Sequence, residues 1–207
     1  MEKEIVRLAE ELGMDSEAVR LLENTRLPLA PARMQELAQA LTVREKYSEA
    51  AEALEKELPY ASDDGFGCLA VMLCAALLTR KKYAERGIPD AVFLATMGCF
   101  PRFVHEHMES FGRYGFDRTF WTGRQLSLSL FRIGELEYEF LPGEERALSL
   151  HIPSDADLSA EKTEESLQRQ EQFFAKFFPE YAGAEIMCES WLLSPALQKL
   201  LPQGSRI

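Results

Sequence analysis

Paired cysteines, an excess of basic residues and a long apolar run are all missing from this chain, and each absence narrows what it does. Cys68, Cys74, Cys99 and Cys188 stand singly among apolar neighbours with no C-x-x-C spacing, which points to buried reduced thiols rather than disulfides or zinc. No metal site is implied. Only 23 Lys and Arg stand against 34 Asp and Glu, a net charge of −11. Nucleic acids and anionic membrane surfaces both attract clustered cations, so neither is expected as a partner. The most apolar stretch, CLAVMLCAALL from Cys68 to Leu78, falls well short of the roughly 20 residues a bilayer requires. It reads instead as a central buried helix. The start, MEKEIVRLAEELGMDSE, has no apolar signal core and no Arg-rich, acid-poor transit pattern, so a cytoplasmic location is expected. G-x-S-x-G, H-E-x-x-H and P-loop patterns are absent as well.

What remains is a chain of 207 residues, 46% hydrophobic, long enough to bury one sizeable core or two small ones. Two periodicities follow one another along it. Up to Gly134 the spacing is helical: Ile5, Leu8, Ala9 and Leu12 form one stripe, and Asp15 stands where a helix cap belongs. GIPDAVFLATMGCFPRFV places Pro89 at the entrance of a helix that should break before Pro101. DRTFWTGRQLSLSLFRIG reads as a further helix closing on Gly134. Beyond Gly134 the period becomes two. ELEYEFL sets Leu136, Tyr138 and Phe140 against Glu135, Glu137 and Glu139, and that glutamate row reads as a solvated face. LPGE suits a type II turn centred on Pro142 and Gly143, returning RALSLHI as a hairpin partner. A helix over 160–178 should bury Leu167, Phe173, Phe174, Phe177 and Phe178, and a third strand is expected at Ile186–Leu193, parallel to the second. The fold class is α+β: a helical domain over 1–134 and a small mixed sheet with helices over 135–207.

The segments YAERGIPDAVFLATMGCFPRFV, WTGRQLSLSLFRIGELEYEF, LSLHIPSDADLS and CESWLLSPALQKLLPQGSRI, in that order, resemble bacterial proteins called acyltransferase domain-containing proteins. These join a helical N-terminal domain to a C-terminal domain similar to the GNAT superfamily of N-acetyltransferases. The resemblance implies an acyltransferase acting on a small amine or similar acceptor, with an acyl-coenzyme A as donor. Members of that family continue past the position of the final GSRI, which implies a chain that is shortened or lacks the last part of the sheet, with a last strand whose edge is met by self-association or covered by another element.

The coenzyme A pyrophosphate in that superfamily sits on a Q/R-x-x-G-x-G/A loop. The corresponding turn here, PSDADLS, has no glycine. Pro153 lacks an N–H, and Asp155 and Asp157 bring negative charge to a place meant for anions. The usual cradle is therefore absent, and Asp157 and Ser159 read as caps of the following helix. His105 and His107, two apart on a helix, point away from each other and cannot share a metal. His151 stands at a strand end next to the strand that carries Glu189, where a GNAT-like sheet opens toward its acyl site. His151 is accordingly the candidate general base, with Glu189 orienting it or binding the acceptor amine. Trp121, Arg124 and Arg113 from the helical half, and Ser190 and Trp191 beside Glu189, are candidate substrate contacts for a small-molecule ligand between the two halves. Ser190 has no local base and is not read as a nucleophile. The alternative is a non-catalytic GNAT-like module that binds a small molecule or a protein.

Overall fold

A helix apolar on every side has no face to give to water, so CLAVMLCAALL must lie at the centre of whatever surrounds it. The computed structural model, which describes residues 2–26, 28–141, 143, 146–194 and 196–200, places it there. The chain divides into two units, Met1–Ser129 and Leu130–Ile207. The first contains α1 (Glu2–Glu11), α2 (Ser16–Asn24), α3 (Pro31–Leu41), α4 (Tyr47–Glu57), α5 (Phe66–Glu85), α6 (Asp90–Met97), α7 (Cys99–Phe111) and α8 (Thr119–Leu126). Helix α5 is buried without interruption from Phe66 to Ala76, and α1, α2, α3, α6 and α8 pack around it. Each fully buried leucine there, such as Leu69 or Leu73, contributes about 1.5–3 kcal/mol. The helix is started by Asp63, whose carboxylate accepts from the amides of Gly65 at 3.1 Å and Gly67 at 2.8 Å. Thr79, its buried polar residue, donates to the Leu126 carbonyl at 2.7 Å and ties α5 to the end of α8. Asp15 caps α2 as expected, accepting from Glu17 N at 2.8 Å.

One helix end falls as the sequence leads one to expect and another does not. The break expected before Pro101 falls at Gly98, between α6 and α7. Pro101 lies in the first turn of α7, where its missing N–H has no intrahelical partner to lose. The helix expected to run to Gly134 stops at Leu126, and residues 130–133 are a strand. The serines explain the stop. Ser127 Oγ donates to the Arg124 carbonyl at 3.3 Å and lies 2.9 Å from Ser129 Oγ. Leu128 between them takes a left-handed φ of 55°. Such hydroxyls offer the backbone an alternative to the helical ladder.

The second unit is a four-stranded sheet in the order β1 (Leu130–Ile133), β2 (Leu136–Phe140), β3 (Ala147–His151), β4 (Glu185–Met187). The first two pairings are antiparallel and β3 pairs with β4 in parallel. Helix α9 (Ala160–Phe177) makes the crossover between β3 and β4. The turn expected at Pro142–Gly143 involves Pro142, which lies outside the described residues. The third expected strand is shorter than its apolar residues suggest. It ends at Met187, and Trp191–Leu193 form a 3-10 turn in which Ser190 Oγ accepts from Leu192 N at 3.3 Å. A serine capping the next turn competes with the ladder here too.

Helix α9 covers one face of the sheet. Phe173, Phe174 and Phe178 meet Phe131, with ring centroids 5.1–6.2 Å apart. Phe174 also meets Tyr138 and Phe140. Leu167, expected in this core, is 38% exposed. Its neighbour Ser166 faces inward instead, donating to the Ile133 carbonyl and accepting from Leu136 N at 3.3 Å.

Candidate functional site

Strand alternation leaves a second, polar face on the same sheet. The antiparallel registers align Arg132 with Glu137 and Glu137 with His151, one rung across three strands. The next rung holds Leu130, Glu139 and Ser149. Glu137 is only 2% exposed, and the side chains of Arg132, Glu139 and His151 are 13%, 17% and 25% exposed. The glutamate row expected to be a solvated face is therefore largely withdrawn from water. Half-buried charges are tolerated where opposite charges or hydrogen-bond donors stand beside them. His151 Nε2 lies 2.8 Å from Glu139 Oε2. Arg132 Nη1 donates to both oxygens of Asp155 at 2.8 Å.

The turn at 153–159 is explained by the same residues. Asp155, expected to repel an anion, is held by Arg132, so its charge is offset. Three of the turn amides are occupied: Ala156 N donates to the Pro153 carbonyl at 3.1 Å, Asp157 N to Glu135 Oε2 at 3.1 Å, and Ser159 N to Asp157 Oδ1 at 2.9 Å. Ser159 takes the N-cap position of α9, yet its hydroxyl makes no capping hydrogen bond. Asp157 ties the turn in its place.

The remaining residues singled out from sequence fall in several places. Glu189 is exposed, beyond the end of β4, and the carboxylate on His151 is Glu139, not Glu189 as expected. Strand β4 stops two residues short of the level at which Glu189 would face His151. Ser190 is used as a cap, and Trp191 is 73% exposed. In the helical unit the Arg124 guanidinium stacks on Trp121, 4.4 Å from the ring. Arg113 donates to Asp64 at 3.1 Å, and hydrogen bonding to Tyr60 and then to Asp64 raises its pKa. His107 is buried, with Nδ1 2.8 Å from the Arg113 carbonyl and Nε2 2.6 Å from the Tyr60 hydroxyl. A carbonyl only accepts, so Nδ1 carries a proton, and in the neutral ring Tyr60 donates to Nε2. His105 is exposed beside Glu109. Among the described residues no three His, Cys, Asp or Glu side chains gather in a metal-binding group, and no helix is long and apolar enough to cross a membrane.

Sequence reasoning singled out His151 and missed Glu139, Glu137 and Arg132. The signal was available in the hairpin: once β2 and β3 pair, the glutamates, which alternate with Leu136, Tyr138 and Phe140, and His151, which alternates with Leu148 and Leu150, share a face.

A helical unit followed by a mixed sheet whose parallel strands are joined by a helix defines a GNAT-like acyltransferase fold. Residues 3–128 match the N-acyltransferase N-terminal domain and residues 130–207 the GNAT-like C-terminal domain, and the chain belongs to this N-acyltransferase family. An acyltransferase mutant solved with octanoyl-CoA is similar over 98% of this chain and 66% of its own, with 26% identity and a TM-score of 0.80. This chain thus spans about two thirds of that protein's length. An acyltransferase solved with decanoyl-CoA and teicoplanin is similar over 98% of this chain and 77% of its own, with 25% identity and a TM-score of 0.65. No curated protein sequence matches the chain.

Proposed function

We propose that the protein is an N-acyltransferase that moves an acyl group from coenzyme A to an amine, with His151 as general base. The observation that carries this reading is the half-buried His151 hydrogen-bonded to Glu139 on the polar sheet face of a GNAT-like unit. An amine must lose a proton as it attacks a thioester, and imidazole is suited to take it near neutral pH. Similar proteins hold octanoyl- and decanoyl-CoA, which supports a medium-chain acyl-CoA as donor here. The Trp121–Arg124 stack is assigned to substrate contact, while Arg113 and Ser190 are occupied by Asp64 and Leu192 and serve the fold. Glu189 and Trp191, both exposed, are assigned to the acceptor.

The test is acyl transfer from octanoyl-CoA to a panel of primary amines, followed by mass spectrometry. His151→Ala should lower the rate about 10²- to 10⁴-fold, with some fall in melting temperature because half-buried Glu139 loses its partner. An unchanged rate removes His151 from catalysis.

A second reading, a non-catalytic member of the fold, is favoured by one observation. Three amides of the turn before α9, those of Ala156, Asp157 and Ser159, already donate to Pro153, Glu135 and Asp157, which leaves a pyrophosphate fewer N–H groups to meet there. A ligand at 100 times its dissociation constant adds about 2.7 kcal/mol, roughly 5–10 °C for a chain of this size. Coenzyme A alone should give much less. If octanoyl-CoA also gives no shift and no amine is acylated, the non-catalytic reading replaces the enzyme.

A further inference from the structure

The contact between His151 and Glu139 settles more than their proximity. A neutral imidazole has one N–H, and an ionised carboxylate can only accept. At 2.8 Å from Glu139 Oε2, Nε2 must be the protonated nitrogen, and Nδ1 is left as the basic one. We infer that Glu139 is a positioning residue that fixes His151 as the Nε2–H tautomer, so that the proton taken in catalysis goes to Nδ1.

The register sets the two glutamates apart. Glu137 stands directly across from His151 but shares its rung with Arg132 on the other side. Glu139 is diagonal to His151, and its partner across β1 is the apolar Leu130. Among the described residues, the charged groups that the strand registers and printed contacts bring to this face include Glu137 and Glu139 on β2, Arg132 on β1, and Asp155 on Arg132.

The catalytic consequence rests on the acyl-transfer reading above; the tautomer does not. As the amine nitrogen attacks the thioester carbonyl, the N–C bond forms, the C–S bond breaks, and the sulfur leaves with its electron pair as the thiolate. The ammonium proton passes to Nδ1. The imidazolium so formed is held by Glu139 through Nε2–H and gives its proton back to the thiolate or to solvent.

Nitrogen-15 NMR of the three histidines tests the inference without any substrate. His107, with Nδ1 on a carbonyl, should appear as the Nδ1–H form, and the exposed His105 as the averaged reference. At a pH where the rings are neutral, His151 should appear as the Nε2–H form. Glu139→Gln replaces the carboxylate by an amide that both donates and accepts, and should give a mixed tautomer together with a fall in acyl transfer on the order of 10²-fold. An Nδ1–H form of His151 in the unaltered protein, or a ring still doubly protonated where His105 is neutral, overturns the inference whether or not the variant folds. So does a Glu139→Gln protein with an unchanged spectrum and rate. The failures separate: if His151→Ala leaves the rate intact while the Nε2–H form is present, the base assignment fails and the tautomer stands.

Discussion

Ser166 holds three groups of the β1–β2 hairpin with one hydroxyl. It donates to the Ile133 carbonyl, accepts from Leu136 N at 3.3 Å, and lies 3.1 Å from the Tyr138 hydroxyl. All of this is buried, and burial pushes the Tyr138 phenol above its ordinary value. Ser166→Ala leaves those groups without their partner, and should lower stability by about 1–3 kcal/mol in urea denaturation with little change in slope. A loss below about 0.5 kcal/mol would mean that water replaces the hydroxyl. The thiols give a second residue-scale prediction. Burial in α5 pushes Cys68 and Cys74 up to about 11. Both are then protonated at neutral pH, and the thiol form does not alkylate. Iodoacetamide at pH 7.5 should leave both unmodified in the folded protein and label both in denaturant, as read by mass spectrometry of their peptides. Labelling of either under native conditions would show that α5 opens readily.

At the scale of elements, the start of α5 depends on one backbone position. Gly65 has a φ of 84°, and a Cβ there would lie 1.9 Å from the Phe116 carbonyl oxygen. Left-handed backbone and forced displacement together should cost Gly65→Ala about 2–5 kcal/mol, measurable as a large fall in melting temperature. A near-neutral effect would mean that the loop carrying Phe116 yields. Elements differ in how plainly the sequence shows them. Helix α5 is legible because no amphipathic alternative fits a run without polar residues. The strand β2 is legible because three glutamates alternate with Leu136, Tyr138 and Phe140. The passage from α8 to β1 is not, because Leu126, Leu130 and Ile133 happen to keep helical spacing. Only the serine hydroxyls and the left-handed Leu128 break it, and a spacing argument does not weigh them. Likewise MCESWLL has strand composition, but Ser190 turns it into a cap.

For the whole molecule, the net charge of −11 sets the response to acid. Arg80 holds Glu11 and Lys162 holds Glu165 below the ordinary carboxylate range, as Arg33 does for Glu57, in each case chiefly through side-chain hydrogen bonds. Carboxyls depressed in the folded state stabilise it above their unfolded pKa, and that stability is lost as pH falls through the folded value. Melting temperature should therefore change little from pH 8 to about 5 and fall below about 4.5. High salt should shrink the part due to these exposed pairs. A protein that gains stability on acidification would show that relief of repulsion outweighs them. Of the site, the sequence makes His151 legible as a titratable group at a strand end. Its carboxylate partner is not, since Glu139 meets it only once the hairpin fixes which residues stand abreast.

The sheet has one face of phenylalanine and tyrosine and another of carboxylates, arginine and histidine. A hairpin that formed one residue out of step would turn Glu137 and Glu139 into the ring cluster of Phe131, Phe174 and Phe178 and put Tyr138 and Phe140 outside. Desolvating an unpaired carboxylate costs several kcal/mol, more than the misaligned strands could recover from their amide pairing. The charged residues of this face thus also specify the register of the hairpin, because a slipped strand would bury carboxylates under α9.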